Sequence, residues 1–183
     1  MRTCIECEHS LPFKPNPIVR PSAKARILII GQAPGTKVHE TSISWNDASG
    51  NQLREWMGID RDIFYDDNKI AVMPMGFCYP GKGKSGDLPP RPECAPLWHK
   101  QLLTLMPQIE LTLLIGMYSQ KYYLQAKKKK NLTETVRAWK EYSPEYLPMP
   151  HPSPRNKLWL KKNAWFESEV VPVLRKNVKR LIS

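Results

Sequence analysis

The run Arg26-Ile27-Leu28-Ile29-Ile30-Gly31-Gln32-Ala33-Pro34-Gly35 constrains the fold more than any other part of the chain. Four consecutive apolar β-formers read as a strand buried on both faces, the habit of parallel sheets. Gly-Gln-Ala-Pro-Gly then stops the strand in a loop. In an open parallel sheet such a loop lies at the carboxyl end of a strand, where ligands bind. A plain exit from a strand has the same local signature, so the remaining segments have to separate the two.

They repeat the pattern. Ile70–Met75 and Leu111–Gly116 read as two further buried strands, and Tyr146–Met149 as a short fourth. Helices are expected between them. One runs from Ser49 to Met57 with Leu53, Trp56 and Met57 on one face and Gly58 as its stop. Others are expected over Glu93–Met106 (apolar side Leu97, Leu102, Leu105 and Met106), Met117–Gln125 and Thr133–Tyr142. A last helix is expected over Ala164–Leu181, kinked or broken at Pro172. Residues 31–48 read as a long loop, and Gly76–Pro92 as too rich in Gly, Lys and Pro for a regular element. Strands alternating with helices give an α/β sandwich with a mainly parallel sheet. The first and fourth strands both end in Pro-containing loops, which therefore share one rim and can face one cleft.

A chain of 183 residues, 41% hydrophobic, fits one domain with a proper core. Residues 1–24 precede the first strand, with prolines at 12, 15, 17 and 21, and are expected to form an extended arm on the body. No run of 18 apolar residues suggests a membrane span, and Met1-Arg2-Thr3-Cys4 opens no apolar signal core, so a cytoplasmic protein is expected. The net charge of +11 points to a polyanionic partner, nucleic acid being the common one. Lys127–Lys130 supply four of those charges in one run, which on its own is an ordinary solvated stretch.

Three constellations can carry chemistry. Cys4 and Cys7 form a C-x2-C pair, and Cys78 and Cys94 lie 16 residues apart, Cys78 just after the second strand and Cys94 at the start of a helix. Four thiolates from two segments suit a tetrahedral zinc or an iron–sulfur cluster; four unligated buried cysteines are the plainer alternative. His151, between Pro150 and Pro152, has a fixed backbone and can donate to a developing anion, while Arg155 and Lys157 suit a nearby phosphate. Trp45, in a long polar loop, can stack on a base or pack the loop down. His39, Glu40 and Asp47 in the same loop are candidates for activating a water.

Gly31-Gln32-Ala33-Pro34-Gly35, the Trp45 loop, Cys78, Cys94 and His151-Pro152-Ser153, taken in order over nearly the whole chain, resemble the uracil-DNA glycosylase superfamily, nearest its iron–sulfur family 4 branch. The resemblance implies a single-domain, three-layer α/β/α sandwich around a four-stranded, mainly parallel sheet. It also implies excision of a deaminated or damaged base from DNA, duplex or single-stranded, after base flipping. Gly31 and Gln32–Gly35 would form the pocket floor and water site, with Ala33 and Pro34 against the base. Trp45 would stack on the flipped base and His151 would stabilise the leaving oxygen. Ser153, Arg155, Asn156 and Lys157 would enter the DNA groove. Cys4, Cys7, Cys78 and Cys94 would hold a structural 4Fe-4S cluster, zinc being the alternative, and the protein would be a monomer.

Two positions depart from that family pattern. Neutral Gln32 stands where a carboxylate is usual, and Pro74 where a base-reading asparagine falls. An amide orients water but accepts no proton at pH 7, so Glu40 or Asp47 is the candidate replacement. The same departures support an alternative function, a catalytically inactive nucleic-acid-binding module of this fold. An α/β enzyme acting on free nucleosides is a third possibility, disfavoured by the basic charge.

Overall fold

The computed structural model describes residues 1–84 and 86–183. In chain order the elements are β1 (Ile27–Ile30), α1 (Thr36–Thr41), α2 (Ala48–Met57), α3 (Arg61–Tyr65), β2 (Ile70–Val72), β3 (Lys82–Gly83), β4 (Gly86–Asp87), α4 (Cys94–Thr104), β5 (Leu111–Ile115), α5 (Met117–Leu124), α6 (Leu132–Arg137), β6 (Tyr146–Met149), α7 (Lys157–Lys162) and α8 (Val171–Ile182). Among these, β2, β1, β5 and β6 hydrogen-bond in that spatial order, every pairing parallel. The chain thus leaves β1 toward one side of the sheet and returns to the other, which opens a crevice at the strands' carboxyl ends.

Successive side chains of a strand point to opposite faces, and the core divides accordingly. Ile27, Ile29, Val72, Leu113 and Ile115 pack with Leu53, Trp56, Phe64, Phe166 and Leu174 from the helices on one face. Leu28, Ile30, Ala71, Met73 and Leu114 pack with Ala95, Leu102, Met106 and Leu124 on the other. The result is the expected three-layer α/β/α sandwich with a four-stranded parallel sheet. Among the described residues no helix is long and apolar enough to cross a membrane.

The N-terminal arm lies on the body mostly without regular structure, apart from one 3-10 turn at Glu8–Ser10. It finishes at the sheet edge: Arg20 N donates to Val72 O (2.8 Å) and Val72 N to Arg20 O (2.9 Å). This antiparallel bridge satisfies groups of β2 that an open edge would leave exposed.

Several local expectations are corrected. Residues 31–48 contain α1, and the 76–92 stretch contains the β3–β4 hairpin, paired Lys82↔Asp87 and Gly83↔Gly86. Gly86, at φ +147°, adopts a backbone conformation that side-chain-bearing residues rarely take. The 70–75 strand stops at Val72. α3 and α7 were not anticipated. The 133–142 helix starts earlier, capped by Asn131, whose side chain accepts from Glu134 N (2.9 Å). It then tightens into a 3-10 turn at Trp139–Tyr142 that buries Tyr142 and directs its hydroxyl to Lys127 O (2.8 Å). On α4 the buried face is Cys94, Ala95, His99 and Leu102, leaving Leu97 and Leu105 exposed. A π-helical turn at Phe166–Val170 runs directly into α8 and leaves Pro172 in the first turn of that helix, where a missing N–H costs least.

Candidate active site

A cleft of about 270 Å³ opens beyond the carboxyl ends of β1, β2 and β6. Gly31, Gln32, Ala33, Pro34 and Gly35 line it from the loop after β1, Val72 from the end of β2, Pro74 from just beyond it, and His151, Ser153 and Arg155 from the segment after β6. Trp45, Asp47 and Ser49 enter from the α1–α2 connection and the start of α2. The two Pro-containing loops singled out in the sequence therefore do face one cleft.

Trp45 is held by its surroundings. Its φ of +58° is in the left-handed region, uncommon for a bulky side chain. Its carbonyl accepts from Arg54 Nη1 (3.3 Å). A Cβ on Gly50 would fall 1.7 Å from that carbonyl oxygen, so α2 can approach only because residue 50 is glycine. A Cβ on Gly31 would lie 2.8 Å from Trp45 Cζ2, so the indole rests directly on the loop leaving β1. Such strain persists where surrounding structure enforces it, commonly at ligand sites.

His151 is fixed from the chain on both sides. Pro150 and Pro152 restrict the backbone, and Asn156 Nδ2 donates to the His151 carbonyl (2.7 Å). Burial pushes the imidazole below its usual pKa, although the carboxylates of Asp47 and Asp87 pull the other way. The ring is therefore neutral at pH 7, able to donate from one nitrogen and accept at the other.

The remaining predicted residues divide. Asp47 lines the cleft, but Oδ1 accepts from Gly50 N (2.8 Å) and caps α2. Gln32 lines it too, its Nε2 donating to Leu88 O (3.1 Å). Ser153 caps the 3-10 turn Pro154–Asn156, with Oγ accepting from Arg155 N (3.3 Å). Lys157 is exposed at the start of α7. Glu40 is exposed on α1, outside the lining. Pro74 offers no side-chain donor; its carbonyl lies 3.0 Å from His99 Nε2. His99 is a packing residue, with Nδ1 2.6 Å from the Tyr123 hydroxyl and the ring stacked on Phe77.

Three polar lining residues were missed, Asp87, Ser44 and Ser49, along with the apolar Ile18, Val38 and Val72. Ser44 is 4% exposed and its Oγ has no partner among the described residues. Asp87 reaches the cleft on the β3–β4 hairpin. The Gly-flanked stretch Gly83-Lys84-Ser85-Gly86-Asp87 was the available signal, since Gly-rich turns favour hairpins.

Away from the cleft residues, Cys4, Cys7, Cys78 and Cys94 line one small recess together with Leu11, Pro15, Pro17, Phe77 and Arg91. Cys94 is buried and the other three are half-buried. Cys7 Sγ lies 3.8 Å from Glu93 Oε2, and Glu93 pairs with Arg91 (2.6 Å). Burial pushes the Cys7 thiol up to about 11, with the negative charges of Cys94 and Glu93 adding to it. Among the described residues no three His, Cys, Asp or Glu side chains converge as a site for one metal ion. The thiols surround a recess instead of meeting at a point. As a donor set, four cysteines around one recess suit a polynuclear iron–sulfur group.

Residues 19–175 match the family model described as the Uracil DNA glycosylase superfamily. The solution NMR structure of a candidate uracil DNA glycosylase from Methanosarcina acetivorans is similar in fold, with a TM-score of 0.51 at 15% identity. The match covers 88% of this chain and 95% of that one.

Proposed function

Because the chain belongs to the uracil DNA glycosylase superfamily, we propose that it removes a deaminated or damaged base, uracil or a relative, from DNA by hydrolysing the N-glycosidic bond. The observation that carries this reading is the pairing of Trp45 with His151 in one cleft at the sheet rim, ring centroids 5.7 Å apart. A flipped nucleotide brings its base to the Trp45 face, where stacking offsets lost pairing. The glycosidic bond then breaks heterolytically. Its electron pair leaves with the base, the sugar becomes oxocarbenium-like, and a water adds at C1′ with loss of a proton. Neutral His151 donates a hydrogen bond to the oxygen on which the base's negative charge develops.

The basic balance supports a DNA substrate. Lys82, Lys84, Lys157, Lys161 and Lys162, on the hairpin and α7 beside the cleft, enter no ion pair among the described residues. Such lysines are available to phosphates. The cysteine recess supports a structural 4Fe-4S cluster held by Cys4, Cys7, Cys78 and Cys94 and pinning the N-terminal arm to α4. The same four thiolates could hold a single zinc ion as the alternative. Brown colour and broad visible absorption of the purified protein are expected; a colourless zinc protein would reverse the assignment.

The test of function is incubation with labelled duplex and single strands carrying uracil, hypoxanthine or xanthine, followed by alkaline cleavage. Strand scission that His151→Ala abolishes is the expected result. The second reading, an inactive nucleic-acid-binding module, is favoured by Gln32 and Pro74. It predicts tight, steeply salt-dependent binding without scission of any substrate.

A further inference from the structure

The geometry points to Asp87, brought over the cleft floor by the β3–β4 hairpin and latched there by Gln32, as the carboxylate that orients and deprotonates the attacking water. This rests on the glycosylase reading above and supplies what Gln32 itself cannot.

Three acids were open to this role, and their surroundings separate them. Glu40 is exposed on α1, outside the cleft lining. Asp47 lines the cleft but commits Oδ1 to the N-terminus of α2. Asp87 is exposed too, but it lines the cleft, and its side chain has no hydrogen bond or ion pair among the described residues. Its Oδ2 lies against the floor: a Cβ added to Gly35 would come within 3.3 Å of it. A carboxylate free of partners and facing the loop leaving β1 retains both oxygens for water.

The hairpin's position is also specified. Leu88 N donates to Gly81 O (2.8 Å), closing the hairpin base just beyond Asp87. The neighbouring Leu88 carbonyl accepts from Gln32 Nε2 (3.1 Å). The amide in the first motif thus ties the hairpin to the floor, and the residue beside the tie is the carboxylate. Lys82, opposite Asp87 in the hairpin register, and Arg155, which also lines the cleft, are the neighbouring cations. Asp47 and Asp87 both exert their charge on His151, so the three groups share one electrostatic environment.

The step balances without a co-reactant. As the C1′–N bond breaks, its electron pair goes to the base, which His151 stabilises. Water oxygen bonds to C1′, one water proton passes to the Asp87 carboxylate, and the base takes up a proton from solvent. The carboxylate's negative charge meanwhile stabilises the positive sugar.

The experiment has two arms. In the first, His151 is titrated by NMR in the wild-type protein and in Asp87→Asn. The expected result is a lower His151 pKa in the variant, because a carboxylate favouring the imidazolium is gone; an unchanged titration overturns the placement. In the second, single-turnover excision is measured alongside DNA affinity. Asp87→Asn is expected to slow excision by about 100-fold or more, with affinity unchanged or tighter because a negative charge is lost. Gln32→Ala is expected to share part of the rate loss. Wild-type excision undiminished in Asp87→Asn overturns the role of Asp87 alone. A wild type that excises none of the bases overturns the glycosylase reading, and this role with it.

Discussion

The Trp45 indole and the His151 imidazole lie 5.7 Å apart, centroid to centroid, with planes inclined by 30°. That separation is typical of an aromatic pair in contact, so the indole braces the histidine as well as offering a face to a base. Trp45→Ala therefore removes two things at once. Stacking alone is worth about 1–3 kcal/mol per base, or about a 5- to 150-fold loss in kcat/KM. Loss of the brace adds a fall in kcat. Trp45→Phe keeps a ring in place and is expected to retain most activity; steady-state kinetics of the two variants on one lesion-containing duplex make the comparison.

Gly50 pits helix propensity against packing. In an exposed helix, Gly→Ala gains about 1 kcal/mol. Here the new methyl would land 1.7 Å from the Trp45 carbonyl oxygen, which is backbone and has no rotamer to change. Overpacking of this kind typically costs about 1–3 kcal/mol and sometimes more, so the clash wins. Gly50→Ala is expected to lower the urea midpoint and to displace Trp45, seen as a change in its fluorescence. A stabilised variant with native fluorescence would show that α2 can move away from the loop.

How much of this was legible in the sequence follows from where each signal resides. The four strands were readable because each is an apolar run buried on both faces, and the shared rim followed from their being parallel. His151 and Trp45 were singled out by the family resemblance more than by their flanking prolines and polar loop, and both line the cleft. Asp87 was not, because a two-residue strand carries no periodicity and its placement depends on a long-range tie from Gln32 to Leu88. α1 and α3 were missed for a similar reason: six and five residues hold too few turns for a 3.6-residue pattern to show. Glu40 shows the converse limit. It shares a loop with Asp47 in the sequence, but α1 turns it to solvent.

His99 gives the fold a pH dependence. Burial holds its pKa at about 4, only partly countered by its bond to the Pro74 carbonyl. An unfolded histidine titrates near 6.5, so between the two values the unfolded chain binds the extra proton. Stability from this group is complete above about pH 6.5 and is lost as pH falls toward 4. Between pH 7 and pH 5 the loss is about 2 kcal/mol. Gln at position 99 can donate to Pro74 O and accept from the Tyr123 hydroxyl without titrating. Urea unfolding at both pH values is expected to show a smaller difference for His99→Gln than for the wild type.

Lys157 follows the 3-10 turn that carries Arg155 and is exposed, with no ion pair among the described residues. A lysine so placed neutralises a phosphate without reading a base. Each such contact contributes about −0.9 to the slope of log K against log salt on duplex DNA. Lys157→Ala is therefore expected to make that slope shallower by about one unit and to weaken binding equally for damaged and undamaged duplexes. Arg155 lines the cleft itself, so Arg155→Ala should weaken the lesion complex more than the undamaged one. Binding isotherms at several salt concentrations measure both effects. A Lys157→Ala protein with the wild-type slope would remove α7 from the DNA-facing surface.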